Sequence, residues 1–163
     1  MKQAMIRVLM LLSFFLIGTM HGCSIMKNPS DVKFREEVDV FYTLMQLDKS
    51  SIPDYTVNFQ SLPSPAIGRC YMLTNEIQID PDYWYRQSTY LQRKSVLYHE
   101  LAHCICNLGH EEIMMKDSCP SNIMYPSIPS KKCLRKHWGK YIVKLRKACH
   151  DNRNSINIMK FFK

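Results

Sequence analysis

Apolar residues recur along this chain in two rhythms, and each change of rhythm marks an element. Between residues 31 and about 47, Val38, Phe41, Tyr42 and Met45 fall three or four apart, the stripe of an amphipathic helix. Ser30 or Asp31 can cap it, because a short side-chain oxygen accepts from the exposed N–H groups of a first helical turn. Residues 48–53 form a loop, after which Tyr55, Val57 and Phe59 alternate with polar positions, the period of a half-buried strand. Pro63 and Pro65 interrupt the chain. Residues 67–73 predict a second strand, turning at Thr74-Asn75 into the alternating run Glu76-Ile77-Gln78-Ile79-Asp80, which Pro81 ends. Thr89 and Gln92 fit a capping box, so a helix is predicted from there to about Cys106 or Leu108, with Leu91, Leu97, Tyr98, Leu101, Ala102 and Ile105 as its apolar contacts. A last helix places Leu134, Trp138, Tyr141, Ile142 and Leu145 at helical spacing among basic residues. Mixed strands and helices in one short chain without internal repeats predict a small α+β domain.

The first 22 residues follow neither rhythm. Lys2 and Arg7 precede an uncharged apolar stretch at residues 8–18, then Gly22-Cys23-Ser24, the layout of an export signal. The stretch is shorter than the roughly 20 apolar residues that a spanning helix needs. The Gly-Cys step is similar to the lipobox of bacterial lipoproteins, which implies lipidation of Cys23 and a membrane anchor; ordinary signal cleavage near Gly22 leaves a secreted protein instead. The organisation expected is a signal over residues 1–22, a tether over 23–30, one domain over 31–149 and a tail over 150–163.

Composition supports a single folded unit: 163 residues, 46% hydrophobic and 22% charged, is a globular balance and excludes a disordered or low-complexity chain. The formal charge of +8 falls to +6 once Lys2 and Arg7 leave with the signal. Much of the excess lies in Lys131, Lys132, Arg135, Lys136, Lys140, Lys144, Arg146 and Lys147 on the last helix. Such a face is solvated, or it meets anionic lipid headgroups or an acidic substrate; no nucleic-acid-binding motif is present. With Cys23 assigned to lipid, six of the seven cysteines remain, at 70, 104, 106, 119, 133 and 149, enough for three disulfides in an exported protein. A bond between Cys104 and Cys119 would close a loop of 16 residues around His110, one of the pairings that six cysteines leave open. Cys133 and Cys149 share one helix about 24 Å apart, so they reach elsewhere, to Cys70 or Cys106.

The candidate chemistry sits on the helix from Thr89, where Tyr98-His99-Glu100-Leu101-Ala102-His103 forms an H-E-x-x-H motif. Four helical residues turn about 400° and rise about 6 Å, so His99 and His103 share a face and can bind one metal. Two imidazoles, a third nitrogen and an open position make zinc the natural ion, and Glu100 beside them can take a proton from zinc-bound water. His110 is the leading third ligand, with Asp117 as the alternative. A continuous helix would carry His110 about 16 Å from His99, so the chain must turn back at Asn107 or Gly109.

Read as HELAHCICNLGH followed by SNIMYPSI, residues 99–110 and 121–128 resemble the metzincin zinc peptidases, whose motif is H-E-x-x-H-x-x-G-x-x-H with a Met-containing turn downstream. Cys106 stands in place of the motif glycine, and His110 comes one residue later than the usual third histidine. This longer spacing, with Cys119-Pro120 before the turn, is similar to a group of small predicted metallopeptidases of bacteria and phages. The resemblance covers about residues 67–145. It implies a metzincin-like zincin domain: a twisted sheet with an edge strand, an active-site helix, a Met-turn and a C-terminal helix. It implies Zn2+ on His99, His103 and His110, Glu100 as catalytic base, and Met124 packed beneath the metal. Glu76, Gln78 and Asp80 would form the edge strand that pairs with an extended peptide, and Tyr125 or His137 would stabilise the oxyanion. The function so implied is peptide-bond hydrolysis by an exported enzyme, with a peptide or protein substrate and a lipid anchor to the membrane. The competing reading is a non-catalytic, disulfide-stapled envelope lipoprotein with a structural zinc.

Overall fold

The computed structural model describes residues 32–161, and the side chains of residues 33–154; the expected export signal and tether, and with them Cys23, lie outside the described residues. Helix α1 (Val32–Met45) and a short 3-10 turn (Lys49–Ser51) lead into strands β1 (Thr56–Phe59), β2 (Gly68–Tyr71) and β3 (Glu76–Ile79). A π-helical turn (Tyr83–Gln87), helix α2 (Tyr90–Cys106) and the long helix α3 (Lys131–Phe161) follow. The result is the mixed α+β domain that the two rhythms predict.

The strand order is β1-β3-β2, with β1 parallel and β2 antiparallel to β3. This corrects one expectation. Glu76, Gln78 and Asp80 belong to the central strand and its end, so β3 hydrogen-bonds on both sides and presents no edge to a peptide; β2 is the strand with an open side next to α2. The reason is topological: β2 and β3 are a hairpin, and β1 pairs with the later of the two, Val57 opposite Ile77 and Cys70 opposite Ile77 from the other side. The alternation of β3 survives, because Ile77 and Ile79 are fully buried against the helices while Glu76 and Gln78 are half-buried.

Helix α2 runs through the middle of the domain, packed on β2 and β3 on one side and on α3 on the other. Val96, Leu97, Tyr98, Leu101, Ala102, Ile105 and Cys106 are buried along it. Phe34, Phe59 and Trp84 close one end of the core, with ring centroids 4.7–5.8 Å apart. Three disulfides staple these layers: Cys70–Cys104, Cys106–Cys149 and Cys119–Cys133. Cys104 and Cys119, one of the pairs open from the sequence, are therefore not bonded to each other. Residues two apart on a helix point about 200° apart, so Cys104 faces the sheet, where β2 brings Cys70 within 5.6 Å (Cα–Cα), and Cys106 faces α3. Cys119 meets Cys133 in the first turn of α3, and Cys133 and Cys149 do not pair with one another, as their spacing requires.

Helix α3 does not stop at residue 149 but runs on to Phe161. The turn after Cys149 has partners. His150 Nε2 donates to the Met45 carbonyl at 2.9 Å, Asn152 Nδ2 to those of Cys106 and Asn107 at 2.7 and 2.9 Å, and Arg153 to that of Ile105 at 3.1 Å. These are carbonyls at the C-terminal ends of α1 and α2, which have no acceptor duty left within their own helices. Among the described residues no helix is long and apolar enough to cross a membrane.

Candidate metal centre

The site begins with the two ends of α2. At its start the side-chain oxygen Oε1 of Gln92 accepts from the Thr89 N–H and hydroxyl at 3.1 and 2.9 Å, closing the capping box. At its finish Asn107 adopts the left-handed conformation (φ 52°, ψ 40°), and the Leu108 N–H donates back to the Ala102 carbonyl at 3.2 Å. Asn tolerates this backbone better than most residues. Gly109 is not used that way: its φ is not positive, and a side chain there would meet nothing within 4 Å. The reversal at Asn107 returns the chain over the last turns of α2 and delivers His110.

The Nε2 atoms of His99, His103 and His110 then converge, separated by 2.9 Å (99 to 103), 3.1 Å (99 to 110) and 3.2 Å (103 to 110). Their orientation is set from behind. The Nδ1–H of His99 donates to the Ile123 carbonyl at 2.7 Å and that of His103 to the Leu108 carbonyl at 2.6 Å. A carbonyl can only accept, so in both rings Nδ1 carries the proton and Nε2 offers its lone pair to the common point. Burial pushes the His99 imidazole down to about 4 and lowers that of His103, favouring in both the neutral form that binds metals. The three residues form a candidate metal-binding group.

Glu100 projects beside them, 7% exposed, and burial pushes its carboxyl up to about 7. Gly68 of β2 lies against it. A Cβ at that position would stand 2.7 Å from Glu100 Oε1 and 2.8 Å from Cγ, so only glycine lets the strand approach the carboxyl this closely. Around the group opens a cavity of about 640 Å³, lined by His99, Glu100, His103, His110, the strand residues Gly68 and Cys70, and Val96 beneath. This is within the range of ligand-binding clefts. The open side of β2 runs along it.

The segment 122–124 is tied to the centre by hydrogen bonds. Met124 is 3% exposed; its N–H donates to Asn122 Oδ1 at 2.6 Å and its carbonyl accepts from the Glu111 N–H at 2.9 Å. Since the neighbouring Ile123 carbonyl holds His99, residues 122–124 bind the helix and the His110 loop together. Three expectations need correction. Asp117 is not a ligand of this centre: it pairs with Lys136 at 2.7 Å and His137 at 2.8 Å, and the first of these, then the second, holds its carboxyl far below the usual range. His137 is engaged there and does not line the cavity, and neither does Tyr125. Asp117, Cys119 and His137 offer donors within 4.8 Å of one another, but the Cys119 sulfur is bonded to Cys133.

Sequence reasoning missed Gly68, Asn122 and the two carbonyls that fix the histidines. A glycine inside a strand pattern signals close backbone approach, and an Asn two residues before a backbone N–H signals a local turn. The carbonyls carry no such mark. Scans against protein-family models and searches of curated proteins and solved structures return no match to this chain. Its chemistry must therefore be argued from the centre itself.

Proposed function

We propose that this chain is an exported zinc metallopeptidase, similar to metzincins, in which His99, His103 and His110 hold the metal and Glu100 is the catalytic base. The observation that carries the reading is the convergence of three Nε2 lone pairs beside a buried, otherwise unneeded carboxyl at the edge of a cavity. The donors fit zinc: ligands about 2.0–2.1 Å from a tetrahedral ion lie roughly 3.3 Å apart, close to the 2.9–3.2 Å found. Three protein nitrogens facing a cavity leave a position open, the mark of a catalytic rather than a structural ion. Bound there, zinc would supply a Lewis acid that polarises the scissile carbonyl and lowers the pKa of water to about 7.

The residues of the chain account for the remaining work. Glu100 takes the proton of the attacking water and returns it to the leaving amine, a task suited to a carboxyl whose burial holds it near neutrality. Gly68 keeps room for that carboxyl between strand and helix. The open side of β2 offers main-chain donors and acceptors to an extended peptide laid along the cavity. Three disulfides accord with an oxidising compartment, and with export and lipidation at Cys23 the enzyme would act at the bacterial envelope.

The test compares the native protein with Glu100→Ala and His110→Ala for zinc content and for cleavage of a broad peptide library. Native protein with one tightly held zinc should cut peptides; Glu100→Ala should keep the zinc and lose cleavage, and His110→Ala should lose both. A zinc-loaded native protein that cuts no library member would favour the non-catalytic envelope lipoprotein. Unchanged zinc affinity in His110→Ala would remove the third ligand.

A further inference from the structure

Independently of the metal centre, we infer that the exposed face of α3 and the adjoining loop with Ile113 and Met114 form a docking surface for an anionic lipid bilayer. Lys131, Lys132, Arg135, Lys136, Lys140, Lys144 and Lys147 are all exposed, along about 24 Å of one straight helix. Only Gly139 and Val143 share that stripe, and no acidic residue occurs between positions 131 and 150. Lys136 is paired with Asp117 and Lys147 with Asp151, whereas Lys131, Lys132, Arg135 and Lys144 have no ion-pair partner among the described residues. Lys131 and Lys132 also stand in the first turn of the helix, against the positive end of its dipole, with no acidic residue there to offset them. That placement is unfavourable in water and is relieved by an external anionic surface.

Charge alone would suit any polyanion; the apolar residues decide for lipid. Ile113, Met114 and Val143 are 58%, 47% and 57% exposed. The loop that carries the first two is fastened to the basic face: Lys140 Nζ contacts Met115 Sδ at 3.3 Å, Lys136 and His137 bind Asp117, and Cys119 is bonded to Cys133. It is also folded on itself, since the Ser121 N–H donates to the Ile113 carbonyl at 2.8 Å and Met114 bridges to Pro120. A fixed loop tip with two large apolar side chains beside a row of cations matches the two layers of a bilayer interface, headgroups for the charges and the acyl boundary for the apolar tip.

The experiment measures partition of the full, oxidised chain onto vesicles of phosphatidylcholine alone and of phosphatidylcholine with about one-third phosphatidylglycerol. Lys2 and Arg7 of the leader also favour the anionic vesicles, so the readout is how far each variant reduces the difference between the two vesicle types. We expect stronger binding to the anionic vesicles, weakened by salt. A Lys131→Gln/Lys132→Gln/Arg135→Gln variant should lose it on the order of 100-fold, at about fivefold per charge, and Ile113→Ser/Met114→Ser should lose about tenfold. All five positions are exposed, so neither variant disturbs the core. Equal partition onto both vesicle types overturns the inference, as does full retention by the triple variant. Tight binding to duplex DNA that survives the serine variant, without vesicle binding, would assign the face to nucleic acid instead.

Discussion

Gly68 shows how much of the centre depends on single atoms. Because a methyl group there would come within 2.7 Å of Glu100 Oε1, Gly68→Ala must turn the carboxyl or push β2 outward. Neither movement touches the three histidines, so zinc content should be unchanged while peptide cleavage falls about 10- to 100-fold, the scale of a 1 Å misplacement. Glu100 itself has a thermodynamic signature. Its carboxyl is raised from 4.5 to about 7 on folding, so the folded state holds the extra proton between those values and the stability of the metal-free protein falls as pH rises through that window. His99 acts oppositely: lowered from 6.5 to about 4, it contributes stability that is present above 6.5 and lost as pH falls through the same interval. In Glu100→Gln only the histidine contribution remains. Urea unfolding in chelator should then show stability that rises from about pH 4 to 6.5, and a variant more stable than native by on the order of 1–3 kcal/mol above pH 7. Native and variant profiles of the same shape would contradict this.

Among the elements, α2 was the most legible and β3 the least. The capping box at Thr89 and Gln92, the i, i+4 histidines and the helix end near Cys106 all rest on contacts within one or two turns, which the local order of residues dictates. Strand alternation says which residues face a core but not which strand lies between two others, and so the edge passed from β3 to β2. The far end of α3 was equally hidden. His150, Asn152 and Arg153 look like polar tail residues until α1 and α2 present their terminal carbonyls to them. Asn152→Ala should accordingly destabilise the folded protein by about 1 kcal/mol or more, since it strips partners from two carbonyls. Chemical denaturation measures this directly, and a neutral result would mark the turn as a solvated extension.

At the scale of the whole molecule, the proposed metal site depends on the fold. His110, the proposed third ligand, reaches the other two histidines only because Asn107 reverses the chain and residues 122–124 hold the returning loop to His99, so zinc should bind the native form and not the unfolded one. At 100 times its dissociation constant it should add about 2.7 kcal/mol of stability, read as a chelator-sensitive rise in melting temperature that His110→Ala abolishes. The sequence by itself determined the element types, the shared face of His99 and His103, the carboxyl beside them and the basic stripe of α3. These follow from periods of two and 3.6 residues, in which near neighbours meet whatever the rest of the chain does. Tertiary structure decided the partners across long intervals: Cys70 rather than Cys119 for Cys104, β2 rather than β3 beside the cavity, His110 rather than Asp117 beside His99 and His103. Such pairings close loops of tens of residues, where several alternatives differ little in chain entropy, and only the packing of α2 between sheet and α3 chooses among them.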